Sequence, residues 1–129
     1  MRILRLVSLA LLALVLAGCA GPAPADLIPV PTSAPTGLVG PTACPAALLE
    51  GELVADDQFG FVVAHADGFT SAVTWPHGYV ARDAPRRELL DDSGRVVARE
   101  GDLVALGGGE GTAGPGFIVC RQLDVTPVP

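Results

Sequence analysis

Three patterns of apolar and polar positions succeed one another along the chain. Residues 6–17 (Leu-Val-Ser-Leu-Ala-Leu-Leu-Ala-Leu-Val-Leu-Ala) form an almost unbroken apolar run behind Arg2 and Arg5. Prolines then recur at 22, 24, 29, 31, 35, 41 and 45, among Ala, Gly, Thr and Ser, with Asp26 the one charge. From Leu48 onward short apolar stretches alternate with polar positions and are cut by glycine- and aspartate-rich breaks, the pattern of half-buried strands joined by turns.

In that last region the sequence predicts strands over 49–53, 59–64, 70–75, 87–90, 95–98, 103–106 and 117–121, the last continuing past Leu123 and Val125. Turns fall at Asp56-Asp57-Gln58 and Ala66-Asp67-Gly68, and Asp91-Asp92-Ser93-Gly94 reads as a hairpin. No window carries the spacing of an amphipathic helix, although 45–50 is compatible with a single helical turn. The fold class expected is therefore all-β: a small five- to six-stranded OB-like barrel over residues 44–126, since closure protects strand edges that would otherwise pair between molecules.

The proline-rich stretch, by contrast, is expected to form no core and no hydrogen-bonded element. It reads as an extended linker over 19–43 that holds the domain tens of ångströms away from its point of attachment, at about 3.1 Å per residue. A PxxP ligand is the other reading of such prolines, but no basic residue flanks them here.

The N-terminus supplies that point of attachment. Positive charge at Arg2 and Arg5 followed by a short apolar run is how an export signal reads, and the run is shorter than the roughly 20 residues a bilayer span requires. It ends in Leu16-Ala17-Gly18-Cys19, which resembles the lipobox of bacterial lipoproteins. The resemblance implies removal of 1–18 by cleavage between Gly18 and Cys19, a diacylglycerol in thioether linkage on Cys19, and often acylation of the new amino group. Small residues at 17 and 18 let a peptidase reach the backbone, and a thiol is the side chain nucleophilic enough to be alkylated. Two or three acyl chains, at about 0.8 kcal/mol per buried methylene, hold a protein stably where one chain would not. The partner so implied is a membrane, and the location the exported face of the cell envelope. Ala20 lacks the aspartate that in enteric bacteria retains a lipoprotein on the inner membrane.

Loss of Arg2 and Arg5 with the signal takes the formal net charge from −6 to −8. A nucleic-acid partner is thereby disfavoured, because phosphates need a basic patch. From Cys44 to the end roughly 80 residues remain, a size at which only about 60% of the unfolded surface is buried and a covalent staple commonly helps. With Cys19 lipidated, Cys44 and Cys120 are left in an oxidising compartment, and a disulfide between them is expected.

Candidate chemistry is sparse. His65 and His77 suit zinc together with Asp57 or Asp67, but their spacing matches no strong motif. Ser71 and Ser93 lack a GxSxG setting, and there is no CxxC. The glycine-rich run 107–116 carries Glu110 and no lysine, so it reads as a flexible loop between the last two strands and not as a phosphate cradle. No catalytic set, metal or cofactor is assigned. The segment Trp75-Pro76-His77-Gly78-Tyr79 gathers the only Trp and the only Tyr beside a titratable ring; Trp75, His77 and Tyr79 are the candidate ligand contacts, against a reading in which Trp75 fills the end of the barrel. Residues 73–79 together with 94–109 resemble small domains of secreted actinobacterial proteins, a resemblance that brings no activity with it. The function expected is a binding or structural module of the envelope, with an envelope protein or glycan as partner. The alternatives are a small hydrolase or metalloprotein built on His65 and His77, and an OB-like glycan or oligonucleotide binder.

Overall fold

The computed structural model describes residues 26–35, 44–110 and 114–129, which form nine strands and no helix. Strands β2 (Ala47–Asp56), β3 (Gly60–Ala64), β4 (Thr70–Thr74), β8 (Leu103–Glu110) and β9 (Phe117–Thr126) make one sheet. Each has a paired neighbour on both sides, in the order β2-β3-β4-β9-β8 and back to β2, so the sheet closes on itself. All of these pairs are antiparallel except β4 with β9, where Val73 lies against Phe117 and Thr74 against Ile118. Leu49, Leu53, Phe61, Val63, Val73, Val104, Leu106, Phe117 and Val119 supply the apolar interior. Such burial, at about 25 cal/mol per Å² of apolar surface, is the main driving force available.

A second sheet has four strands in the order β1-β5-β6-β7, from β1 (Leu27–Pro29), β5 (Val80–Arg82), β6 (Glu88–Leu90) and β7 (Val96–Arg99). Its inner row is Ala81, Leu89 and Ala98, paired across the strands and buried. Two devices fasten it to the closed sheet. Arg87 donates from one guanidinium nitrogen to the carbonyls of Asp56 and Gly60, both at 3.0 Å. In the turn after β7, Leu53 N–H donates to the Asp102 carbonyl at 2.9 Å and Gly101 N–H to the Leu53 carbonyl at 2.8 Å.

Three expectations need correction. The linker reading of 19–43 fails over 26–35. Leu27, Ile28 and Pro29 pair with β5, Val30 is buried, Pro31 C=O accepts from Trp75 N–H at 2.8 Å, and Ser33 N–H donates to Trp75 C=O at 2.9 Å. Proline is tolerated because β1 is an edge strand, where a missing N–H costs no ladder bond. Likewise Gly107, Gly108 and Gly109 are not loop but the last part of β8. A Cβ on Gly108 would run into the Ile118 carbonyl oxygen, and one on Gly109 would lie 2.5 Å from Pro45, so glycine is what lets the backbones approach. The single helical turn at 45–50 is instead the start of β2, whose Leu48 and Leu49 face opposite ways.

The expected turns are where the sequence put them. Asp56 Oδ1 accepts from the N–H groups of Gln58 and Phe59, both at 2.8 Å. Asp91 Oδ1 accepts from Ser93 N–H, Ser93 Oγ and Arg95 N–H, with Gly94 at φ +82° closing the β6–β7 hairpin. The Ser93 hydroxyl and the Arg95 N–H hold the Asp91 carboxyl below its usual range.

Candidate functional site

Cys44 and Cys120 are joined, with Cα atoms 5.8 Å apart, within the span a disulfide bridges. The bond ties the entry of β2 to the middle of β9, and the Arg121 guanidinium adds a hydrogen bond to the Cys44 carbonyl at 3.1 Å. Gly18 and Cys19, the cleavage and lipidation positions, lie outside the described residues, as do the rest of 1–25, 36–43 and 111–113.

The aromatic segment after β4 is split by the fold. Trp75 is fully buried, covered by 31–33 on its backbone and packed into the core shared by the two sheets, so it is not a ligand contact. Sequence could not settle this, because the cover is the stretch that read as linker. His77 is exposed, and Tyr79 is half-buried against the β6–β7 hairpin. Gly78, at φ +84°, brings the segment against Asp92, whose Cβ would be 2.6 Å from any Cβ at position 78. Burial pushes the Tyr79 hydroxyl above its usual value, the Asp91 and Asp92 charges add to the rise, and Arg95 opposes it. The two side chains therefore differ in surroundings: His77 is open to solvent, whereas Tyr79 packs against the core at the β6–β7 hairpin.

The proposed pairing of His65 with His77 does not form. His65 follows β3 and His77 follows β4, at opposite ends of a five-residue strand. The His65 ring instead meets Ser71, with Nε2 and Oγ 2.7 Å apart. Asp67 is occupied by the Phe69 N–H at 3.1 Å and Asp57 is an exposed turn residue. Among the described residues no three His, Cys, Asp or Glu side chains gather as a metal site.

One open groove lies elsewhere, on the outer face of β2, β8 and β9. It has a volume of about 420 Å³ and is lined by Glu50, Gly51, Ala66, Leu103, Val104, Ala105, Asp124 and Thr126. Strand alternation builds it: Leu49 and Leu53 point inward and are buried, which turns Glu50 and Glu52 outward. Register then sets Glu50 opposite Ala105 and Ala105 opposite Asp124, so two carboxylates stand two strand spacings apart, about 9–10 Å, with a methyl group between them. One strand step along, Leu103 lies between Glu52 and Thr126 and is half exposed. Asp124 also accepts from the Gln122 amide at 2.9 Å.

This lining offers hydrogen-bond acceptors, negative charge and apolar floor. It holds no arginine, cysteine or histidine, and Thr126 carries its single hydroxyl. A complementary ligand brings donors or positive charge. No sequence motif points to it, since its residues come from three strands and the turn after β3, brought together only by the antiparallel β2–β8 and β8–β9 pairings. No protein-family model, curated protein or solved structure matches the chain.

Proposed function

We propose that the protein is a bacterial lipoprotein anchored through Cys19, whose exported domain is a binding module of the cell envelope. The observation that carries the anchor is Leu16-Ala17-Gly18-Cys19 at the end of a short apolar run behind two arginines. The Cys44–Cys120 bond fits an exported, oxidising compartment.

We read the closed sheet as an OB-like barrel. Numbered within the ring in chain order, its strands run 1-2-3-5-4 and back to 1, with the third and fifth parallel, which is the connectivity of that fold. The four-stranded sheet's β5, β6 and β7 are inserted between the third and fourth of them. OB-folds take oligonucleotides and oligosaccharides on the face of strands two and three, whereas the groove here lies on strands one, four and five. Its carboxylates favour a donor-rich, positively charged segment of an envelope partner over a phosphate-bearing one.

Cross-linking in intact envelopes tests the binding role. Glu50→Arg combined with Asp124→Arg changes two outward-facing side chains and should abolish a cross-linked species that the parent protein forms and high salt weakens. An unchanged species would remove the groove from the account, and recovery of a glycan adduct in place of a protein would move the ligand class.

A further inference from the structure

The closed sheet and the small sheet carry very different charge. Residues 26–35 and 76–100 hold five of the six arginines that follow Cys19 (Arg82, Arg86, Arg87, Arg95 and Arg99) against six carboxylates, a net of −1. The rest of the domain holds eight carboxylates against Arg121, a net of −7. The arginines of the small sheet do not all point inward. Leu27 pairs with Arg82, Arg82 with Glu88 and Glu88 with Arg99, so these four share one cross-strand row on the face opposite the buried Ala81-Leu89-Ala98 row. Glu88 bridges both arginines, at 2.9 and 3.3 Å, while Arg82 and Arg99 remain 41% and 50% exposed and Leu27 45%.

The same face begins next to the anchor. With 26–35 built into the domain, only residues 20–25 separate Cys19 from Asp26. Seven residue steps reach at most about 25 Å even when fully extended. A body with its −7 end toward an anionic bilayer is repelled within a Debye length of about 8–10 Å. Arginines near such a surface are attracted to it and carboxylates repelled, so the −1 end is opposed far less than the −7 end.

We propose that the outer face of the four-stranded sheet, along Leu27, Arg82, Glu88 and Arg99, is the surface on which the domain rests against an anionic membrane, with the closed sheet held away from it. This rests on the lipoprotein reading. Asp26 and Asp83 border the same edge and keep the unit from being a basic patch, so contact depends on tethering, which raises the local concentration of bilayer.

The test uses the full-length, processed protein reconstituted in phosphatidylglycerol–phosphatidylcholine vesicles containing a headgroup-linked quencher. With Cys19 acylated and Cys44 bonded to Cys120, a cysteine introduced as Arg99→Cys or Phe69→Cys is the one free thiol for a fluorophore bearing a quaternary ammonium, which keeps a positive charge at position 99. Arg99 is on β7, three strand spacings or about 14 Å from the tethered strand, and Phe69 is exposed at the far end of the β3–β4 hairpin. The label at 99 should be quenched several-fold more than that at 69, and Arg82→Glu or 0.5 M salt should narrow the difference. Equal quenching in protein shown by mass spectrometry to carry acyl chains would overturn this proposal alone. Protein without acyl chains would overturn the lipoprotein reading and this proposal with it.

Discussion

Replacing Cys44 and Cys120 together by serine should cost the domain about 4.5 kcal/mol. The bond closes a loop with a sequence separation of 76, and the chain-entropy relation for a loop of that length, evaluated at 25 °C, gives about 4.5 kcal/mol of denatured-state entropy removed by the cross-link. Neither side chain sits in the core, Cys44 being half-buried and Cys120 exposed, so serine leaves little cavity or desolvation cost to confuse the reading. A domain of this size typically has about 5–12 kcal/mol in total, and each kcal/mol moves its midpoint by roughly 4–8 °C. The melting temperature should therefore fall by about 20 °C or more.

Trp75 is a convenient reporter, being the only tryptophan and fully shielded. Its emission and calorimetry should give coincident transitions for parent, both single variants and the double variant. Because either serine breaks the same bond, each single variant should lose nearly as much as the double, a strong non-additivity. Single losses that sum to the double, or a midpoint within about 5 °C of the parent, would show that the cross-link does not stabilise by restricting the denatured chain.

Two further outcomes follow from the contacts between the sheets. Ile28→Ser combined with Val30→Ser should cost about 3 kcal/mol and shift Trp75 emission to longer wavelength, since 28–33 pack over it; a free linker there would leave both unchanged in equilibrium unfolding and fluorescence. Burial pulls the Asp102 carboxyl upward, but the N–H groups of Arg99 and Val128 and the Arg86 guanidinium outweigh it and hold it below its usual value. A lowered folded value means that Asp102 contributes its full stability above the unfolded carboxylate value of about 3.9 and loses it as the pH falls through the folded one. Asp102→Asn should therefore lower stability at pH 7 and flatten the part of the acid limb below about pH 4, measured by denaturant titration at each pH.

Most strands of the closed sheet were legible because local chemistry and global packing agree. Residues 60–64 and 70–74 alternate or run apolar between aspartate–glycine turns, and Asp91 and Gly94 mark their hairpin by requirements any reader of turns would apply. What was hidden depends on partners distant in sequence. Leu27-Ile28-Pro29 looks like linker until β5 offers an edge on which proline is tolerated, and Val80-Ala81-Arg82 is too short to show a period. The glycines of 107–109 signal a loop by composition, yet serve a close approach to Ile118 and Pro45 that only the closed sheet creates. Trp75 and the groove belong to the same class: one is covered by a segment more than forty residues upstream, and the other is assembled from register alone.

The anchor carries the whole functional reading, and the mass of the intact protein extracted from membranes tests it most directly. The mass should be that of a chain beginning at Cys19, lacking residues 1–18, with a diacylglycerol on that cysteine and two hydrogens fewer for the Cys44–Cys120 bond. A chain that retains residues 1–18, or one that begins elsewhere without added lipid, would contradict the lipoprotein reading.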